Sequence, residues 1–121
     1  MILWLTGNTG SGKTTLANKL KSKNTIILDG DEIRDVLGTD GKLSKEERWE
    51  HNIRIAKLAK LLESQGIAVI VSVIAPFEDL RREIKTICNC HFIHVDRNNH
   101  IGDKERPYEI PNNAVITVKG D

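Results

Sequence analysis

With 121 residues, 29% of them charged and a formal net charge of +1, the chain has room for one hydrophobic core and carries no block of like charge. That balance excludes a surface built for duplex nucleic acid or an anionic membrane, and no apolar run has the length to cross a bilayer. Met1 leads directly into an apolar segment without a secretory leader, so the expectation is one domain over residues 1–121, in the cytoplasm.

Ile2-Leu3-Trp4-Leu5 reads as a first strand. The stretch Gly7-Asn8-Thr9-Gly10-Ser11-Gly12-Lys13-Thr14, with Thr15 after it, has the G-x-x-x-x-G-K-[ST] spacing and runs into Leu16-Ala17-Asn18-Lys19-Leu20, a helix expected from about Lys13 to Lys21. Strand, loop and helix in that order form a phosphate cradle. The glycines let successive N–H groups turn inward, and the helix start adds unpaired N–H groups and the positive end of its dipole. Lys13 is expected on the β- and γ-phosphates of ATP, and the Thr14 hydroxyl on Mg²⁺.

Thr25-Ile26-Ile27-Leu28 predicts a second strand ending at Asp29-Gly30-Asp31, and Glu32 to Leu37 a short helix broken by Gly38 and Gly41. Ser44-x-x-Glu47 is a capping box opening a long helix, whose Ile55, Leu58, Ala59 and Leu62 follow the spacing of a face packed on a sheet. Gly66 ends it. Ile67 to Val73 is an unbroken, largely β-branched run, the pattern of a strand covered on both faces. Pro76 starts the next helix, Phe77 to Cys88. His91 to Val95 is a fourth strand ending at Asp96, Arg97 to Arg106 a polar loop, and Ala114 to Val118 a fifth strand. Alternating strands and helices imply an α/β fold: a five-stranded parallel sheet with helices on both faces, a three-layer P-loop sandwich. Cys88 and Cys90 form only C-x-C and read as buried or half-buried thiols, and the four histidines lack metal-ligand spacing.

Ligands of open parallel sheets sit beyond the carboxyl ends of the strands. There the available carboxylates are Asp29 and Asp31. Either can serve Mg²⁺ or its water, and either can take a proton from an attacking hydroxyl; Asp31 can instead cap the helix at Glu32. Arg34 lies on the helical face of Asp31, while Arg48 and Asn52 share the buried stripe of Ile55. A cation on such a stripe requires an internal carboxylate or an anionic ligand. Two arginines converging on one pocket favour phosphate or sulfate; the adjacent Trp49, a lone aromatic, reads as packing first and as a wall of the pocket second.

These residues resemble the adenylylsulfate kinase family, small P-loop kinases that phosphorylate the 3′-hydroxyl of adenylylsulfate with ATP. The likeness covers Gly7 to Thr15, Leu28-Asp29-Gly30-Asp31-x-x-Arg34, the Ser44 helix with Arg48 and Asn52-Ile53-Arg54, Ser72-Val73-Ile74-Ala75-Pro76-Phe77 with Arg81, and Pro107-Tyr108-Glu109-x-Pro111. It implies a phosphotransferase of sulfate assimilation in which Asp31 is base or metal partner. It also implies that Asp29, Arg34, Arg48, Asn52 and the Ile74-Ala75-Pro76 turn hold the sulfonucleotide. The chain departs from the family in four places. Ala75 replaces a serine, Leu43 replaces a phenylalanine that stacks on adenine, and Arg48 stands four rather than three residues before Asn52. The helix and basic lid after the fourth strand shrink to Arg97–Arg106. The expected partners are ATP and a small anionic nucleotide-like acceptor, and a homodimer is compatible with them. Two other readings remain: a kinase for another nucleotide, nucleic-acid or sugar hydroxyl, and a nucleotide-binding protein with little turnover.

Overall fold

A computed structural model describes residues 1–7, 11–38, 44–96, 108–111 and 116–119. In chain order the elements are β1 (Ile2–Thr6), α1 (Lys13–Leu20), β2 (Thr25–Asp29), α2 (Gly30–Leu37), α3 (Lys45–Ser64), β3 (Ala68–Ser72), α4 (Glu78–Ile87), β4 (Cys90–Asp96) and β5 (Ile116–Lys119). The five strands form one parallel sheet in the order β2-β3-β1-β4-β5.

Alternate side chains of a strand leave the sheet on opposite faces. On one face Ile2, Trp4, Leu28, Val69 and Val71 meet Ile55, Ala56 and Ala59 of α3 and Leu80 and Ile84 of α4. On the other, Leu5, Ile70 and Val95 meet Ala17 and Leu16 of α1. The expected three layers are therefore present, and β3 is apolar from Ala68 to Val71, with a buried Ser72 at its end, because both its faces are covered.

The ends of the elements shift slightly, for identifiable reasons. Helix α2 starts at Gly30, ahead of the expected Glu32, because Asp29 caps it: Oδ1 accepts from the N–H groups of Asp31 (3.0 Å) and Glu32 (3.2 Å). The capping role offered to Asp31 thus belongs to Asp29, the extended residue that closes β2. Ser44 caps α3 as expected, its Oγ accepting from the Glu47 N–H at 3.2 Å. The polar loop Arg97–Arg106 lies outside the described residues, as do Ala114 and Val115 of the expected fifth strand. Cys88 and Cys90 are buried free thiols. Among the described residues no helix is long and apolar enough to cross a membrane.

Trp4 ties the core to the carboxyl end of β3. It is fully buried, tilts against Phe92 with centroids 5.7 Å apart, and donates from Nε1 to the Val73 carbonyl at 3.2 Å. Trp4→Phe should orphan that carbonyl and destabilise the protein by about 1–3 kcal/mol, read as a lower urea midpoint at unchanged slope. An unchanged midpoint would show that the Trp4 bond contributes nothing to stability.

Candidate active site

The helix leaving β1, α1, covers one face of the sheet, whereas the helix following β3, α4, covers the other. Two neighbouring strands whose connections diverge leave a crevice at their carboxyl ends. A cleft of about 380 Å³ opens there, lined by Lys13, Thr14, Asp29, Gly30, Asp31, Arg34, Arg48, His51, Asn52, Ser72, Val73, Ile74 and Pro76. The structure thus brings together nearly all the residues singled out on the acceptor side, along with Lys13 and Thr14. Ala75 is buried within the turn between Ile74 and Pro76. Asn8, Thr9 and Gly10 lie outside the described residues.

Glycine is required at both ends of the phosphate loop. A Cβ on Gly7 would stand 2.4 Å from the Val95 carbonyl oxygen and 2.7 Å from Ser11 Oγ, so β1 can turn here only without a side chain. Gly12 sits at φ 100°, a left-handed conformation that starts α1. Ser11 Oγ is buried with no hydrogen-bond partner among the described residues, while Thr15 is exposed. Lys13 donates from Nζ to the Gly7 carbonyl at 2.7 Å, folding back over the loop. Burial pushes its ammonium down to about 8 against the opposing pull of Asp29 and Asp31. A half-buried ammonium on a loop that begins a helix is matched to a polyanion, whose charge restores what desolvation removed.

The oxygen donors suit magnesium. Thr14 Oγ1 donates to Asp29 Oδ2 at 3.4 Å, so the carboxylate nearest the Thr14 hydroxyl is Asp29. Among the described residues no cluster of three or more His, Cys, Asp or Glu side chains forms a protein cage. Few protein oxygens beside a phosphate loop fit an ion that keeps its waters and binds substrate phosphates.

On the acceptor side, the Asp31 side chain is 94% exposed and accepts from Arg34 Nη1 at 3.1 Å. Arg34 therefore lines the cleft and also has the internal carboxylate that the sequence set against an anionic ligand. Arg48 is half-buried, and burial together with the positive charge of Arg34 lowers its guanidinium below the ordinary arginine range. Two cations that disfavour each other across one cleft are relieved by an anion between them. Asn52 is buried and donates from Nδ2 to the Arg48 carbonyl at 2.8 Å. Trp49 walls the α3–α4 seam rather than the cleft: it stacks on Phe77 (centroids 6.1 Å) and donates to Glu83 Oε2 at 3.0 Å.

The Ile74-Ala75-Pro76 turn is held from behind. Ala75 has φ 44°, a left-handed conformation that a residue with a Cβ adopts at a cost. Thr6 Oγ1 donates to the Ile74 carbonyl and shares a 3.1 Å hydrogen bond with Tyr108 OH. Arg81, 3% exposed, donates to the carbonyls of Ala75 and Glu109, pairs with Glu78 and lies over the Tyr108 ring. The N–H of Glu109 donates to the Pro76 carbonyl at 2.6 Å. The Tyr108–Pro111 segment is therefore a brace for the turn. Sequence reasoning missed His51, a buried side chain lining the cleft. Its signal was the i, i+4 row it shares with Ile55 and Ala59.

The sequence and the fold are similar to those of known proteins. The family model described as adenylylsulphate kinase matches residues 1–106. The bifunctional enzyme NodQ of Rhizobium meliloti is 45% identical over 87 residues, 67% of this chain, which spans only 14% of NodQ. The adenylyl-sulfate kinase of Clostridium kluyveri is 31% identical, covering 98% of this chain and 74% of the relative. The cytidine diphosphoramidate kinase of Campylobacter jejuni is 39% identical, covering 82% and 62% respectively. The solved structure of the Mycobacterium tuberculosis APS kinase CysC Cys556Ala mutant superposes with a TM-score of 0.73 at 27% identity, covering 97% of this chain and 83% of that one.

Lys13 sets a pH-dependent expectation. Below about pH 8 its ammonium is charged before ligand arrives; above it, phosphate binding must draw a proton onto the amine. Mg-ATP affinity should therefore fall as pH rises past 8. Calorimetry at pH 9 in buffers of different ionisation enthalpy should show proton uptake, and Lys13→Met should abolish it. Binding without uptake at pH 9 would place the ammonium away from the phosphates.

Proposed function

Because this chain belongs to the adenylylsulphate kinase family, we propose that it transfers the γ-phosphate of ATP to a hydroxyl of a small anionic nucleotide-like acceptor. The 3′-hydroxyl of adenylylsulfate is the first candidate. One observation carries the reading: Lys13 and Thr14, Arg34 and Arg48, and the exposed Asp31 carboxylate all line one cleft.

The chemistry follows from those positions. Lys13 and the N–H groups at the start of α1 draw the polyphosphate into line and spread the charge that develops on the oxygens of the transferring group. Arg34 and Arg48 hold the acceptor's anionic end, which fixes the distance from its hydroxyl to the γ-phosphorus. Asp31, oriented by Arg34, takes the hydroxyl proton as the oxygen attacks; a new P–O bond forms, the bond to the bridging oxygen breaks, and ADP leaves with its electrons. Thr14, with Asp29 and Asp31, are the residues that would hold Mg²⁺ and its waters, and the ion supplies further charge neutralisation.

A second acceptor class has its own support, since the C. jejuni relative, named a cytidine diphosphoramidate kinase, is 39% identical over 109 residues. An acceptor screen with Mg-ATP should therefore include adenylylsulfate and cytidine diphosphoramidate, with the phosphorylated product identified.

Two substitutions test the roles. Asp31→Asn should leave Mg-ATP binding intact and lower single-turnover phosphoryl transfer by about 10²–10⁴-fold; partial recovery at high Mg²⁺ would mark Asp31 as mainly a metal partner, and an unchanged rate would remove it from the mechanism. Arg48→Ala should weaken acceptor binding by about 1.5–3 kcal/mol, seen as a raised acceptor KM with the KM for ATP unchanged. If no acceptor in the screen is phosphorylated, the chain is a nucleotide binder.

A further inference from the structure

Resting on the acceptor-cleft reading above, we infer that His51 is a specificity-determining residue whose bare Nδ1 accepts a hydrogen bond from an N–H or O–H of the acceptor nucleotide. The tautomer comes from geometry. His51 Nε2 lies 3.1 Å from the Gly30 carbonyl oxygen. A carbonyl only accepts, so Nε2 carries the proton and Nδ1 presents a lone pair. That lone pair is buried and has no partner among the described residues. The next residue repeats the arrangement: Asn52 spends its Nδ2 on the Arg48 carbonyl, and its Oδ1 is buried without a donor among the described residues. Burial and the charge of Arg34 both lower the His51 pKa, which keeps the ring neutral and Nδ1 an acceptor near pH 7.

Buried acceptors left without donors are costly, and most native ones are paired. Two occur at successive residues of α3, His51 and Asn52, which are 3–5% exposed and line the same cleft as Arg34 and Arg48. The ligand that satisfies this wall has a negative end for the arginines and a hydrogen-bond donor for His51 and Asn52. In a nucleotide the donor is either the exocyclic amine of adenine or cytosine or a ribose hydroxyl. A site built to pair such a group strongly rejects analogues lacking it.

The test separates this role from the bond to Gly30. His51→Gln can keep an N–H donor for the Gly30 carbonyl while deleting the Nδ1 acceptor; His51→Asn keeps an acceptor near Nδ1 and drops the Gly30 bond. With the phosphate loop saturated by a non-hydrolysable ATP analogue and Mg²⁺, calorimetry would compare AMP, IMP and 2′-deoxy-AMP. Expected is about tenfold weaker AMP binding by His51→Gln, with Tm and affinity for the ATP analogue unchanged, and partial rescue in His51→Asn. A wild-type preference for AMP over IMP that His51→Gln loses identifies the amine. A preference against 2′-deoxy-AMP that His51→Gln loses identifies the hydroxyl. Wild-type-like binding of all three by His51→Gln, or no binding of any of them to wild type, overturns the inference. Should His51→Gln fail to fold, equal wild-type affinities for the three nucleotides overturn it as well. Intact discrimination without phosphoryl transfer to any acceptor would overturn the kinase reading and leave this one standing.

Discussion

The site depends on a register. Leu5 pairs with Ser72, and Ser72 in turn with Asp29, so the carboxyl ends of β1, β3 and β2 are level across the sheet. From that line the chain leaves at Gly7 toward the phosphate loop, at Val73 toward the acceptor turn, and at Gly30 into the helix that carries Asp31 and Arg34. A slip of one residue in β1 would turn Trp4 toward α1 and Leu5 toward α3, exchanging the contents of the two cores. Close packing on both faces therefore fixes, at some distance, where a lysine and a carboxylate meet.

Within that frame, rigidity is concentrated behind the acceptor turn. The left-handed Ala75 costs on the order of 1–3 kcal/mol, and the surroundings over-determine it. Carbonyls on both sides of Ala75 accept from Thr6, Arg81 and Glu109, and Arg81 itself is neutralised by Glu78. Buried guanidinium groups are tolerated when their donors meet carbonyls and a carboxylate. The consequence is a turn whose Ile74 and Pro76 face the cleft with little freedom, set opposite a phosphate loop whose Lys13 is folded back on Gly7.

The fold was legible because strand and helix periods change at the residues where the chain turns. The both-face apolar run near Ile67–Val73 and the stripe through Ile55 and Ala59 follow from burial alone, and burial also dictates packing. The phosphate loop was legible because its glycines answer a steric demand visible in the spacing. What escaped was less periodic. Asp29 and Asp31 flank one glycine and carry identical side chains, so only backbone conformation decides that the first caps α2 and the second faces outward to Arg34. His51 escaped because a polar residue at the start of the apolar row it shares with Ile55 and Ala59 reads as the solvated end of that row; its burial and unpartnered Nδ1 mark it in the structure. Tyr108 was visible in a family motif, but its work as a brace depends on contacts a hundred residues away along the chain, with Thr6.

The strand order carries a consequence for how the protein comes into being. Strand β1 precedes the other four strands, yet its two neighbours, β3 and β4, both lie in the second half of this chain. Ile2, Trp4 and Leu5, fully buried in the finished fold, thus wait without a pairing partner while the α1–α3 region is synthesised. Long-range parallel pairing is intrinsically slow, and an apolar strand left open is the segment most prone to mispair or to recruit a chaperone. The phosphate loop is accordingly among the last parts of this fold to take its shape, although it precedes most of the fold along the chain.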